Sequence, residues 1–154
     1  MMRTVDLLET TASPDRIFAL ARDVVRWPEK LPHYRYVRVV EERPGAAIVE
    51  MSAYRPFGPV HWPTWWTSEM TDDADRRVVR YRHIRGVTTG MDVEWRIEPS
   101  PTGARVTLVH EWSGPPWGPL RRPAAEWVIG PVFVHGIATR TLAGLGRHAE
   151  YPND

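Results

Sequence analysis

Residues 91–113, MDVEWRIEPSPTGARVTLVHEWS, decide the fold class of this 154-residue chain. In the first half, apolar side chains alternate with charged ones, which is the pattern of a half-buried antiparallel strand. Proline and glycine within residues 99–103 predict a turn, after which the alternation resumes. The apolar faces carry Met91, Val93, Trp95 and Ile97 in the first half and Val106, Leu108, His110 and Trp112 in the second. The stretch therefore predicts two neighbouring strands of a sheet with one apolar face.

Further strands are predicted on the N-terminal side of this hairpin. Residues 34–42, 47–54, 61–70 and 77–84 are strand-like and are separated by short segments rich in Pro, Gly or Asp. Residues 3–11 predict one more strand at the start of the chain, with Val5 and Leu7 on one face. Short turns favour antiparallel neighbours, so the strands should form one meandering sheet.

Helices are predicted after the first strand and at the end of the chain. Ser13 suits an N-cap and Pro14 the first helical position, which predicts a helix to about Arg22. A second short helix holds Trp27 and ends near Leu31. A long helix is predicted over residues 124–150, with a bend where Pro131 removes a backbone hydrogen bond. Its expected inward stripe is Val128, Val132, His135, Thr139 and Leu142.

These elements predict a single α+β domain over residues 1–154. A sheet with one apolar face must be covered, and the C-terminal helix is the element long enough to cover it. The expected fold is a curved seven-stranded antiparallel sheet wrapped around that helix, with two short helices after strand one. The gap between sheet and helix is the natural ligand cavity, and the loops at residues 55–63, 85–90 and 114–122 should form its mouth.

Composition excludes several classes of protein. Twenty basic and 19 acidic residues nearly balance, which argues against nucleic acid or an anionic membrane as the partner. The absence of cysteine excludes disulfide, thiolate and iron–sulfur chemistry. No apolar run approaches the roughly 20 residues of a membrane span, and the N-terminus lacks a signal-peptide pattern. We therefore expect a cytoplasmic protein without membrane insertion. Trp65, on an outward face, leaves a homodimer open.

Sequence motifs for other chemistries are missing. The histidines have no metal-ligand spacing, and Glu69 and Glu111 fall on outward faces, which argues against a paired-carboxylate site. No Gly-Lys-Ser follows Gly90, and no Gly-x-Ser-x-Gly motif occurs. The sequence therefore predicts no metal and no cofactor.

His110 is the first candidate for catalysis, because it falls on the apolar face of its strand. It is either a core histidine with satisfied hydrogen bonds or a general base in a cavity. On the strand over residues 77–84, we expect Tyr81 and His83 to face inward, because the alternative would bury two arginines without acids.

Two other positions keep alternative interpretations. Arg55 lies on the apolar side of its strand but at a loop edge, so it either polarises an enolate oxygen in the cavity or is a solvated rim residue. His135 and Thr139 share one helix face and either face the cavity or lie on a wetted helix edge.

The order of elements and several motifs resemble the START-like helix-grip superfamily (SRPBCC), in particular its polyketide cyclase/dehydrase branch with the bacterial aromatase/cyclases. The motifs that carry the resemblance are Ser13-Pro14, DVVRWPEKL at residues 23–31, Trp66-Thr67-Ser68, DADRRVVRY at residues 73–81, residues 91–95 and LVHEW at residues 108–112. The resemblance implies a polyketide-like substrate and pocket roles for Trp27, Trp66, Ser68, Tyr81 and His110.

The chain departs from the family pattern at two positions. Met70 stands where the family has a pocket arginine, and Thr141 is near the place of an acidic residue that some members have on the last helix. The combined candidates for catalysis are His110, Tyr81, Ser68 and His83. Those for substrate binding are Trp27, Tyr34, Arg55, Trp66, Met70, Met91, Trp95, Trp112, His135 and Thr139.

Two hypotheses on function follow. The first is an enzyme of the lyase or isomerase class, a polyketide cyclase or aromatase that closes a ring in a polycarbonyl intermediate of antibiotic biosynthesis. Aldol closure and dehydration are redox-neutral, so this activity needs no cofactor. The second is a non-catalytic carrier or sensor of a lipid, quinone or polyketide. A pure interaction domain, in contrast, would have a core filled by side chains.

Overall fold

A computed structural model describes residues 2–57, 60–86, 88–114, 119 and 134–151, with backbone only at residues 55–57 and 60–62. The strands are β1 (Met2–Thr10), β2 (Tyr34–Arg43), β3 (Ala46–Phe57), β4 (Val60–Asp73), β5 (Val78–Gly86), β6 (Asp92–Ser100) and β7 (Gly103–Trp112). The helices are α1 (Pro14–Arg22), α2 (Trp27–Lys30) and α3 (His135–Glu150), and a 3₁₀ turn, Val24–Arg26, precedes α2.

The seven strands form one sheet in the order β1-β7-β6-β5-β4-β3-β2, and every neighbouring pair is antiparallel. This confirms the predicted meander from β2 to β7. β1 pairs with β7, so the first and last strands of the sequence are neighbours in the sheet. The predicted fold class, a curved sheet around the last helix, is confirmed.

The core lies between the inward face of the sheet and helices α1 and α3. On β6 and β7 the alternation works as the sequence predicted: Val93, Trp95, Ile97, Val106 and Leu108 are buried. Ser13 caps α1 by accepting a hydrogen bond from the Arg16 amide, and Pro14 begins the helix. Within the part of the chain that the structure describes, no helix is both long and apolar enough to cross a bilayer.

Strand β1 corrects the expectation built on Val5 and Leu7. Their side chains are 44% and 65% exposed, whereas Met2, Asp6 and Thr10 face the core. In a strand the faces alternate with period two, so the inward face of β1 is the one with polar residues. Burial of a carboxylate and a hydroxyl on this face cannot be predicted from an apolar pattern.

Helix α3 also differs from the predicted register. Its buried face contains Ile137, Ala138, Thr141, Leu142 and Leu145, while His135 and Thr139 are on the exposed side. The predicted stripe was extended through Val128 and Val132, which lie outside the described residues. A proline inside a helical pattern ends or kinks a helix, so a stripe extended across position 131 of the sequence does not predict the register that follows.

Candidate active site

A cavity lies between the inward face of the sheet and α3. Its volume is about 60 Å³. Most of its lining is apolar. The helix contributes Val134, Ile137, Ala138 and Thr141, and the remaining walls come from the α2 region and from β2 to β7.

Aromatic rings form one wall of the cavity. The ring centroids of Trp27 and Trp95 are 5.7 Å apart, those of Trp27 and Tyr34 are 5.3 Å apart, and those of Tyr34 and Trp66 are 6.3 Å apart. The Trp27 indole donates a hydrogen bond of 3.0 Å to the Leu20 carbonyl, which fixes its orientation. The wall is therefore rigid and suited to flat or apolar ligands.

His83 forms the end of this wall. Its ring stacks on Trp66 with a centroid distance of 5.8 Å and an interplanar angle of 8°. Its Nδ1 is 2.6 Å from the hydroxyl oxygen of Thr88, which also lines the cavity. Burial, with a smaller contribution from the nearby His110, lowers the pKa of His83 to about 3, so the ring is neutral at pH 7.

Tyr81 and His110 stand in one row across the sheet. Tyr81 pairs with Val93 and Val93 pairs with His110, which places both side chains on the inward face two strands apart. The Tyr81 hydroxyl and His110 Nδ1 are sealed from solvent and have no hydrogen-bond partner. Burial raises the pKa of Tyr81 well above its usual value and lowers the pKa of His110 to about 4. At pH 7 the phenol is therefore protonated and the imidazole is neutral.

A second cluster of polar side chains lies beside helix α3. The Thr141 hydroxyl oxygen is 2.8 Å from the Ile137 carbonyl, 3.0 Å from His33 Nε2 and 3.4 Å from the Tyr34 hydroxyl. Burial raises the pKa of Tyr34 to about 12. Burial and then the charge of Arg140 lower the pKa of His33 to about 4. All three groups are therefore uncharged at pH 7, and they join α3 to the start of β2.

Among the described residues that line the cavity, the side chains that can gain or lose a proton are Tyr34, Tyr81, His83 and His110. No Lys or Arg is among the described residues that line the cavity. No group of three His, Asp or Glu side chains suited to a metal ion occurs within the residues that the structure describes. The site as described can donate and accept protons, but it offers no permanent cation to a ligand.

Comparison with known proteins identifies the family. The model of the family "Polyketide cyclase / dehydrase and lipid transport" matches residues 10–134. The chain belongs to this family. A Streptomyces cyaneus protein with the name "Putative polyketide cyclase" is 26% identical over 113 residues, which cover 72% of this chain and 73% of that protein.

Two other proteins are similar to this chain over different lengths. The granaticin polyketide synthase bifunctional cyclase/dehydratase of Streptomyces virginiae is 34% identical over 68 residues, which cover 44% of this chain and 21% of that protein. The Zhui aromatase/cyclase from Streptomyces sp. R1128 has a TM-score of 0.79 at 21% identity, covering 97% of this chain and 93% of that one. The structural likeness shows that the helix-grip fold is shared.

Most of the site residues predicted from the sequence and the family resemblance come together. Trp27, Tyr34, Trp66, Met91, Trp95, Tyr81, His83 and His110 all line the cavity. The choice on β5 is settled, since Tyr81 and His83 face inward while Arg80 and Arg82 pair with Glu94 and Asp92 on the outer face.

Other predicted residues lie elsewhere. Ser68, Met70 and Trp112 are buried but are not part of the cavity lining, and the Trp112 indole donates to the Thr89 carbonyl. The expectation that His135 and Thr139 face the cavity is corrected: both are exposed, and the Thr139 hydroxyl donates to the His135 carbonyl one turn back. The side chain of Arg55 and the loop over residues 115–118 lie outside the described residues.

The sequence did not single out several lining residues. Met51, Thr88 and Ile137 line the cavity, and Thr141 and His33 form the polar group described above. The alternation of β3 gave a usable signal for Met51. Thr88 lies in a loop and His33 precedes a strand, so neither has a periodic signal that could assign it to the cavity.

Proposed function

We propose that this chain is a polyketide cyclase that binds a polycarbonyl chain in the interior cavity and promotes its cofactor-free cyclisation. The observation that carries the proposal is the sealed Tyr81 hydroxyl, which has no hydrogen-bond partner and stands in one row with the His110 imidazole among otherwise apolar walls. Buried polar groups are nearly always hydrogen-bonded, so unpartnered ones beside a cavity are candidates for contacts with a ligand. The polyketide cyclases among its relatives support the choice of ligand.

The proposed reaction is an intramolecular aldol closure. The neutral His110 imidazole removes a proton from a methylene carbon between two carbonyl groups, and the enolate carbon bonds to another carbonyl carbon of the same chain. The imidazolium returns the proton to the new alkoxide, so the base is restored. Loss of a second α-proton and the hydroxyl group as water then gives the unsaturated ring.

Tyr81 has a distinct proposed role. Since its pKa is raised, the phenol remains protonated and can donate a hydrogen bond to the enolate or alkoxide oxygen. His83 is a further candidate for proton transfer in the same wall, whereas Ser68 is buried outside the cavity lining. The aromatic wall would hold the flexible chain in one folded form, and such positioning can supply several kcal/mol of a cyclisation barrier.

A carrier of hydrophobic small molecules is the second candidate function. One observation favours it: no Lys or Arg is among the described residues that line the cavity. The family resemblance points the same way, since it implies an arginine where this chain has Met70. The family description also includes lipid transport. A carrier would use the same aromatic wall and would bind its ligand without changing it.

Product analysis separates the two functions. The chain is added to a polyketide synthase that makes an unreduced chain and has no cyclase of its own, and products are followed by liquid chromatography and mass spectrometry. We expect the mixture of spontaneous products to be replaced by one cyclised, dehydrated product. Tyr81→Phe removes the proposed donor and should reduce the rate at which that product forms about 100- to 1,000-fold, the usual effect of losing one oxyanion donor.

Tyr36→Phe is the matched control, because the Tyr36 hydroxyl binds Glu50 at 2.8 Å and does not line the cavity. It should leave the product mixture of the wild type unchanged. An unchanged spontaneous mixture in the presence of wild-type protein that retains polyketide would instead support the carrier.

A further inference from the structure

Three sealed polar atoms without partners lie at the junction of β1 and β7. They are Thr4 Oγ1, Asp6 Oδ2 and His110 Nδ1. Thr4 is the register partner of His110, and Asp6 is opposite Leu108, the next inward position on β7. In an antiparallel pair, direct partners have Cβ atoms about 4.5–5.5 Å apart and diagonal neighbours about 7–8 Å apart. The three side chains are thus neighbours on the inward face, although more than 100 positions separate Thr4 and Asp6 from His110 in sequence.

The donors and acceptors of this cluster are complementary. A neutral histidine has one N–H donor and one acceptor nitrogen, a carboxylate oxygen accepts, and a hydroxyl can do both. A buried water typically makes about three hydrogen bonds to groups that would otherwise be unsatisfied. One water between these side chains would therefore satisfy all three atoms.

Asp6 is held in place from the other side. Its Oδ1 is 2.6 Å from His135 Nδ1 at the start of α3, and its side chain is only 4% exposed. Burial raises the pKa of Asp6, and the charge and hydrogen bond of His135 oppose that rise. Within the part of the chain that the structure describes, Asp6 is the one buried carboxylate.

We propose that Asp6 is a positioning residue for His110, acting through one water molecule that Thr4 also holds. His110 Nδ1–H donates to the water, and the water donates to Asp6 Oδ2. The proton of the neutral ring is then fixed on Nδ1, which leaves Nε2 as the free basic nitrogen. When Nε2 accepts a proton, the carboxylate stabilises the imidazolium.

The surroundings of His110 single out Asp6 for this role. On β5 the titratable inward side chains are Tyr81 and His83, of which neither is an anion at pH 7. β6 presents Val93 and Trp95, and the described cavity face of α3 presents Val134, Ile137, Ala138 and Thr141. None of these groups carries a negative charge that could stabilise the protonated imidazole of His110. The role of Asp6 in catalysis rests on the proposed function, whereas the hydrogen bonds among Asp6, Thr4, His110 and the water do not.

Nitrogen-15 NMR of the histidine side chains tests the arrangement directly, because the shifts of Nδ1 and Nε2 report which nitrogen carries the proton. In the wild-type protein at pH 7, His110 should be in the Nδ1–H form, with a nuclear Overhauser effect to a buried water. Asp6→Asn keeps the size of the side chain but removes its charge. It should reduce the Nδ1–H population and lower the pKa of His110, the direction expected on loss of an opposite charge.

Thr4→Val is the second variant, since it retains the carboxylate and the contact with His135. It should shift the tautomer in the same direction by a smaller amount, and it keeps the test available where Asp6→Asn does not fold. Asp92→Asn is the control, because Asp92 pairs with Arg82 at 3.0 Å on the outer face of the sheet. It should leave the His110 signals unchanged.

The proposal is overturned by a wild-type Nε2–H tautomer, or by His110 signals that both variants leave as in the wild type. These readouts need no substrate. A protein without cyclase activity would refute the proposed function and leave this arrangement standing, and an unchanged tautomer in an active cyclase would do the reverse.

Discussion

Replacement of His110 with Gln is expected to lower the rate of polyketide cyclisation about 10²- to 10⁴-fold, the usual contribution of a positioned general base. Gln is similar in size and keeps polar atoms in the cavity wall, but it cannot accept a proton from carbon. Ligand affinity should change little, because the aromatic wall of Trp27, Tyr34 and Trp95 remains. The rate of formation of the cyclised product and the affinity for a stable aromatic polyketide are measured side by side.

His148→Gln is the matched control. His148 Nε2 is 3.0 Å from the Lys30 carbonyl, and the side chain does not line the cavity. Its rate should equal that of the wild type. Equal rates in His110→Gln and the wild type would remove His110 from the mechanism, and loss of binding together with turnover would favour the carrier.

Acidification from pH 7 to pH 5 is expected to unfold the protein or bring it close to unfolding. Burial lowers the pKa values of His33 and His110 to about 4 and that of His83 to about 3, against 6.5 for exposed histidine. Between pH 6.5 and pH 4 the unfolded chain therefore binds up to three more protons than the folded one. Each proton costs about 1.4 kcal/mol per pH unit, so stability falls by up to about 4 kcal/mol per unit as pH falls.

A loss of up to about 4 kcal/mol per pH unit is large compared with the free energy of unfolding of most domains, which is about 5–15 kcal/mol. Asp6 opposes it slightly, because a carboxyl whose pKa is raised on folding stabilises the folded state at low pH. Urea denaturation at several pH values measures the slope, and His33→Gln should reduce it by about one third, since one of three buried histidines is removed. A free energy of unfolding that stays constant from pH 7 to pH 5 would contradict the neutral burial of these rings.

The sheet was predictable because its inward strand positions alternate with outward charges. On β6, Val93, Trp95 and Ile97 form a continuous apolar face, and the outward residues pair with neighbouring strands. β1 does not follow this pattern, because its inward face holds Asp6 and Thr10, while Val5 and Leu7 remain exposed. Polar burial depends on partners such as His135, which is 129 positions away from Asp6 in the chain.

The candidate site was predictable to a similar extent. His110 and Trp95 were found because they share an inward strand face, and Trp27 was carried over from the family motif. Thr141 and Asp6 were missed as functional residues, since each gains its significance from a distant contact: Thr141 from His33, and Asp6 from the pairing of β1 with β7. Local periodicity contains no information on such contacts. The family position of an acidic residue drew attention to the last helix, whereas the buried carboxylate is on the first strand.

The central claim is that the interior cavity binds a polycarbonyl ligand, and native mass spectrometry tests it most directly. The protein is purified from cells that make an unreduced polyketide, and its mass is measured before and after denaturation. We predict a non-covalent adduct of polyketide mass that is lost on denaturation. Ala138→Phe, which fills the cavity from α3, should abolish the adduct, whereas Ala143→Phe on the exposed side of the same helix should retain it. A protein without any adduct, or an adduct that Ala138→Phe retains in full, would contradict the account.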